Sequence, residues 1–157
     1  MKIIVVGLVM VFAAVTMLSV QFGIAPVLAD STSGETLSPH MADLHRQVHK
    51  LGLSIDAQNG ELADFYIKEL GETITYVAGK FPEYDGHKVG ALMPVMLNPY
   101  LTPLGKAIAA ADWKAASPAY DTLIASGCNG CHMATQHAFI KIERNKANPY
   151  GQSFKGQ

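Results

Sequence analysis

Cys128-Asn129-Gly130-Cys131-His132 lies near the end of a 157-residue chain and contains its only two cysteines. Two cysteines separated by two residues and followed at once by histidine have the spacing of a c-type haem attachment site. The chemistry accounts for the spacing. Each sulfur can add to one haem vinyl group as a thioether, and the adjoining imidazole can reach the iron as its proximal ligand. On a helical turn all three side chains can face one macrocycle, and Asn129 and Gly130 keep the connection small. Cys128 and Cys131 are therefore the expected attachment points of one haem c, and His132 its expected proximal ligand.

Other uses of this spacing fit less well. A thioredoxin-like CxxC belongs in a βαβ context, and no such pattern flanks it. A structural zinc site takes about four ligands, so histidines would have to complete the set. A disulfide across so short a loop needs special geometry.

The N-terminus has the three parts of a secretory signal. Lys2 supplies one positive charge, residues 3–20 are apolar apart from Gly7, Thr16 and Ser19, and Val27-Leu28-Ala29 offers small residues for cleavage just after Pro26. Residues 1–29 are read as a signal peptide cleaved after Ala29, which predicts a periplasmic protein. If the segment were kept, about 20 apolar residues would be enough to anchor it in a bilayer. Export and haem attachment agree, because thioether attachment is an extracytoplasmic chemistry in bacteria. With Lys2 removed, 11 Lys and Arg stand against 13 Asp and Glu. That balance argues against a nucleic-acid partner or an anionic membrane surface.

The remainder reads as helices. Residues 30–37 form a polar lead-in. Ser38 and Pro39 have the character of a helix start, and Met41, Leu44, Val48, Leu51 and Ile55 repeat at helical spacing. Asn59-Gly60 is read as the end of this first helix. A second helix is expected over 61–80, with Leu62, Phe65, Ile67, Leu70, Ile74, Val77 and Phe81 as its stripe. After a turn at 82–87, a third is expected over 88–111. Pro94, Pro99 and Pro103 interrupt it, which predicts a kink or break between Met96 and Thr102. Asp112 caps a fourth helix, which runs from Trp113 through the cysteine motif to Phe139. Residues 141–157 are polar and read as an irregular tail folded back over the bundle. The expected fold is all-α, an antiparallel up-down-up-down four-helix bundle with covalently bound haem c, the domain spanning 38–140.

In that topology the end of the fourth helix lies beside the start of the first. His132 would sit roughly 10 Å from the end of its helix at 1.5 Å per residue, level with 44–48 of the first helix. The distal iron position then faces Met41, Leu44, His45, Val48 or His49. His45 and His49 lie one turn apart, and either can make the coordination bis-histidine, His49 slightly ahead on helix phase. Met41 would raise the reduction potential as a ligand, and an open site walled by Leu44 and Val48 is the remaining case. His40 reads as exposed, His87 as lying at the other end of the bundle, and His137 as pointing away from the iron.

The chain here resembles the class II cytochromes c, the cytochrome c′ and cytochrome c-556 group. The resemblance covers residues 38–139. It is carried by Cys128 to His132 in the last helix and, weakly, by Arg46-Gln47 in the first. It implies a four-helix bundle with the haem motif near the C-terminus and a homodimer formed through the first two helices. Class I cytochrome c differs in having its motif near the N-terminus and a methionine ligand far downstream. The longer tail and the proline-rich third helix depart from class II, so the resemblance assigns no distal ligand.

Two functions follow from the distal side. A six-coordinate iron makes a periplasmic electron carrier that docks redox partner proteins at the haem edge. A five-coordinate iron makes a protein that binds or senses a diatomic gas, nitric oxide or carbon monoxide. The sequence holds no distal acid–base pair to argue for an enzyme.

Overall fold

The computed structural model describes residues 35–156, whose regular structure is all helical, with no strand among them. The expected signal peptide, its cleavage point at Ala29 and the lead-in as far as Gly34 lie outside the described residues. Four helical rods make a bundle: α1 (Leu37–Asp56), α2 (Gly60–Lys80), α3 (Val89–Ala109) and a fourth composed of α4 (Trp113–Thr122), a π-helical segment (Leu123–Cys128) and α5 (Asn129–Ala134). No helix among the described residues is long and apolar enough to cross a membrane.

Local chemistry sets most of the boundaries. Asn59 begins α2 and does not end α1. Its side-chain oxygen accepts the backbone N–H of Leu62 at 3.1 Å, the usual service of an N-cap asparagine. The chain reverses one residue earlier, where Gln58 takes a left-handed φ of 54°. At the other end of α1, Thr36 holds the N-cap position without a side-chain bond. Pro39 falls in the first turn, where a missing N–H costs nothing. Asp112 caps α4 as read from sequence, accepting from the Ala115 N–H at 3.0 Å.

Two expectations about helices are corrected. The break expected between Met96 and Thr102 does not occur: α3 runs for 21 residues with the three prolines inside it. Pro99 and Pro103 leave the carbonyls of Val95 and Pro99 without their N–H partners. Both residues are exposed, so water can take the place of the lost donors. The expected stripe of α2 is also out of phase in its first turns. Phe65 is half exposed, whereas Ala63 and Tyr66 are buried and continue to Leu70, Ile74 and Val77.

The core lies along the bundle axis: Leu51 and Ile55 from α1, Leu70 and Ile74 from α2, Leu104 and Ile108 from α3, Tyr120 and Leu123 from the fourth rod. Two close approaches position these rods. A Cβ on Gly52 would sit 2.5 Å from the Tyr120 hydroxyl, which donates to the Val48 carbonyl at 3.0 Å. A Cβ on Gly127 would lie 3.2 Å from Leu97 and one on Gly130 3.0 Å from Met96, so the fourth rod presents bare backbone to α3.

Residues 135–156 have no regular structure and pack against the bundle. The Arg144 guanidinium reaches Asp56 on α1 and Asp121 on α4 and lies 5.1 Å from the Tyr120 ring centroid. Gln152 bonds Lys50 at 3.0 Å and Tyr66 at 3.1 Å. Phe154 is buried in the core.

Candidate cofactor site

The π-helical segment sets the direction of the motif. The Asn129 N–H bonds the Ile124 carbonyl five residues back. Beyond this wide turn, each residue holds the place its predecessor would have in an unbroken α-helix, a rotation of about 100°. Cys128, Cys131 and His132 are thereby brought onto the inward line begun by Ala116, Tyr120 and Leu123. Gly127 and Gly130 turn to α3.

All three motif residues line one apolar cavity of about 480 Å³. Met41, Leu44 and Val48 of α1 and Met93 and Leu97 of α3 form much of its wall. Its size is that of a small-molecule or cofactor site. Both cysteines are free thiols. Burial pushes the Cys128 thiol up to about 12 and raises Cys131 as well. A disulfide-exchange CxxC needs the opposite, a thiol lowered toward neutrality. Nor do the described residues contain three or more His, Cys, Asp or Glu side chains grouped to hold a metal ion, as a structural zinc site would require.

His132 is held in one tautomer. Its Nδ1 lies 2.7 Å from the Ile140 carbonyl oxygen. A carbonyl can only accept, so Nδ1 carries the proton, and in the neutral ring Nε2 then keeps its lone pair. That is the state in which a histidine binds a metal, with a backbone carbonyl as the outer partner. The Ile140 carbonyl is there because the chain turns back. Thr135 ends α5, Gln136 takes a left-handed φ of 62°, and the Asn129 amide holds Ile142 by two bonds. Asn129 Nδ2 donates to the Ile142 carbonyl at 2.9 Å, and the Ile142 N–H donates to Asn129 Oδ1 at 2.7 Å.

The histidines fall differently from the expectation. His45 lines the cavity from the exposed side of α1. His49 is not on its wall. It is buried, with Nδ1 2.7 Å from the Tyr150 hydroxyl and Nε2 without a partner. One further turn along α1 carries it from the cavity to the docked tail, so of the two histidines only His45 lines the cavity. His137 does not point away. The helix stops five residues before the expected Phe139, and the reversal at Gln136 brings His137 back to the cavity, its Nδ1 donating to the Thr135 carbonyl at 2.6 Å.

His87 is not at the far end either. An Asp85-Gly86 turn, with φ of 49° and 74°, bridges Tyr84 to His87, as a type I′ turn does. Its connection packs beside the start of α1, where Phe81 and His40 rings are 5.2 Å apart, and His87 meets His137 at 6.3 Å. His40 is only part exposed, its Nε2 2.8 Å from Glu35. Sequence reasoning missed the roles of Asn129, His87, His137 and Ile140. The Asp85-Gly86 pair was the one available signal. The stop at Ala134 carries none, because the left-handed position is filled by glutamine and not by glycine.

The chain matches no family model, no curated protein and no solved structure.

Proposed function

We propose that this protein is an exported monohaem c-type cytochrome that carries electrons in the periplasm, built as an antiparallel up-down-up-down bundle of the class II kind. One observation carries the reading. Two thiols and a histidine with a free Nε2 converge on one wall of an apolar cavity of about 480 Å³. A haem needs those three groups, and the residues fit it.

In this reading Cys128 and Cys131 hold the haem by thioethers, and His132 Nε2 is its proximal ligand. Haem, when bound, supplies a one-electron couple at iron. The chain's own residues do the rest. Leu44, Val48, Met93 and Leu97 exclude water, which together with the axial ligands sets the potential. The Ile140 carbonyl fixes the plane and tautomer of His132. Met133, Phe139 and Ile140 are 66, 80 and 44% exposed, and this apolar surface near the motif supports docking of a redox partner protein there.

The gas-binding alternative also has an observation behind it. His49 does not line the cavity, which leaves His45 and Met41 as the cavity-lining candidates from α1 for a sixth ligand, beside the apolar Leu44 and Val48.

The test is to express the full chain with a cytochrome maturation system. The expected product keeps haem through a denaturing gel, and a C128A/C131A variant does not. Absence of covalent haem in the unmutated chain overturns the reading. Absorption spectra with and without carbon monoxide separate the two functions. A low-spin spectrum unmoved by the gas supports electron transfer. A high-spin spectrum that shifts supports gas binding.

A further inference from the structure

The side chain between the two cysteines of the motif is not a mere spacer. We infer that Asn129 is a positioning residue for His132, acting through a strap formed by residues 140–144 of the tail. The inference rests on the haem reading above and names what controls the iron's proximal side.

The strap is closed at three points. The Asn129 amide uses both its donor and its acceptor on the two backbone groups of Ile142, at 2.9 and 2.7 Å. This is the pairing a neighbouring β-strand would offer, supplied here by one side chain. Two residues earlier, the Ile140 carbonyl accepts from His132 Nδ1 at 2.7 Å. Two residues later, Arg144 ties the strap to α1 and α4. It reaches Asp56, the Ser117 hydroxyl at 3.0 Å and Asp121 at 2.7 Å. Ile140 is tied on its near side only to the local turn, its N–H donating to the His137 carbonyl at 2.8 Å and the His137 N–H to the His132 carbonyl at 2.7 Å. It is 44% exposed, and a carbonyl on an exposed turn has water as its alternative partner. That turn brings Ile140 near His132, and the clamp at Ile142 holds the chain beyond it, so that the carbonyl stays on Nδ1.

The consequence is electronic. A histidine whose Nδ1–H is bonded to a carbonyl is a stronger donor through Nε2. A stronger donor stabilises ferric over ferrous iron and lowers the potential. Releasing the strap removes that support, so the potential should rise.

The test compares N129A with the unmutated full chain. With haem attached, N129A is expected to raise the midpoint potential. A tenfold change in the ferric-to-ferrous ratio at fixed potential is about 59 mV for one electron, and a shift of that order is expected. The iron–histidine stretch should weaken in parallel. N129D keeps the acceptor for the Ile142 N–H and loses the donor, so it should fall between, and it serves if N129A does not fold. Q152A is the control. It loosens the far end of the tail at Lys50 and Tyr66, so it should lower stability and leave the potential unchanged. In the chain made without haem, nitrogen NMR should show His132 as the single Nδ1–H tautomer, and N129A as a mixture. An unchanged potential in N129A, or a shift of equal size in Q152A, overturns the positioning role. An unmutated chain that takes up no haem overturns the cytochrome reading instead, and the tautomer comparison then decides the positioning role alone.

Discussion

Gly52 of α1 and Tyr120 of the fourth rod pack directly against each other, and the contact leaves no room for an added atom. A methyl group on Gly52 would overlap the Tyr120 ring and hydroxyl. G52A is expected to lose about 1–3 kcal/mol in denaturant unfolding, the usual cost of overpacking a core. Y120F removes the hydroxyl that reaches the Val48 carbonyl without adding volume. It should cost about 1 kcal/mol. Burial also holds the Tyr120 hydroxyl above its ordinary pKa, so it stays neutral and donating through the physiological range. Neither residue could be singled out from sequence. A glycine in a helical stripe reads only as a weak point; the reason for it lies 68 residues away in the chain. The grouping of Cys128, Cys131 and His132 was legible at this scale because five consecutive residues hold all three.

At the scale of elements, the π-helical segment is the decisive feature. It advances the motif by one residue around the axis of the fourth rod. Two variants test this. Deleting Ala125, which is exposed within the segment, should close the wide turn to a regular α-helix. Cys128, Cys131 and His132 would keep facing the cavity, so on the proposed cytochrome reading this variant should attach haem. Inserting one alanine between Tyr120 and Asp121 should turn the motif about 100° away from the cavity. That variant should keep its helical circular dichroism and attach haem poorly. The helices themselves were largely visible in the sequence. Periodicity showed α1, α2 and α4, and the Asp112 cap was read correctly. The failures share a cause. Whether three prolines break α3, or which turn of α2 faces inward, depends on what each face meets. Solvent receives the carbonyls beside Pro99 and Pro103, and that is a fact of packing.

For the whole molecule, a haem held in the apolar cavity, as proposed above, would add packing contacts to the folded state alone and so stabilise it. Chain made without haem maturation is expected to unfold at a lower denaturant midpoint than matured chain. The tail is the second large-scale feature. Arg144 joins α1 and α4 through Asp56 and Asp121 and covers Tyr120. R144A should cost about 2 kcal/mol, as hydrogen bonds to charged groups do, and should speed hydrogen exchange at the Ile142 amide. Equal exchange in R144A and the unmutated chain would show that the tail holds without it.

The sequence by itself determined the all-helical class, the four helical rods and the set of groups at the site: two thiols and a histidine within five residues. These depend on local rules, the periodicity of apolar positions and the spacing of a motif, which act over one or two turns of chain. The tertiary structure decided which way those groups face and what surrounds them. His49 was turned onto Tyr150, His87 and His137 were brought to the cavity, and the Ile140 carbonyl was set on His132. Each of these contacts joins residues from separate elements or follows a chain reversal that lacks a glycine. The phase of a helix about its own axis is fixed by close packing against its neighbours. A periodic pattern gives the stripe, and only the neighbours say where the stripe points.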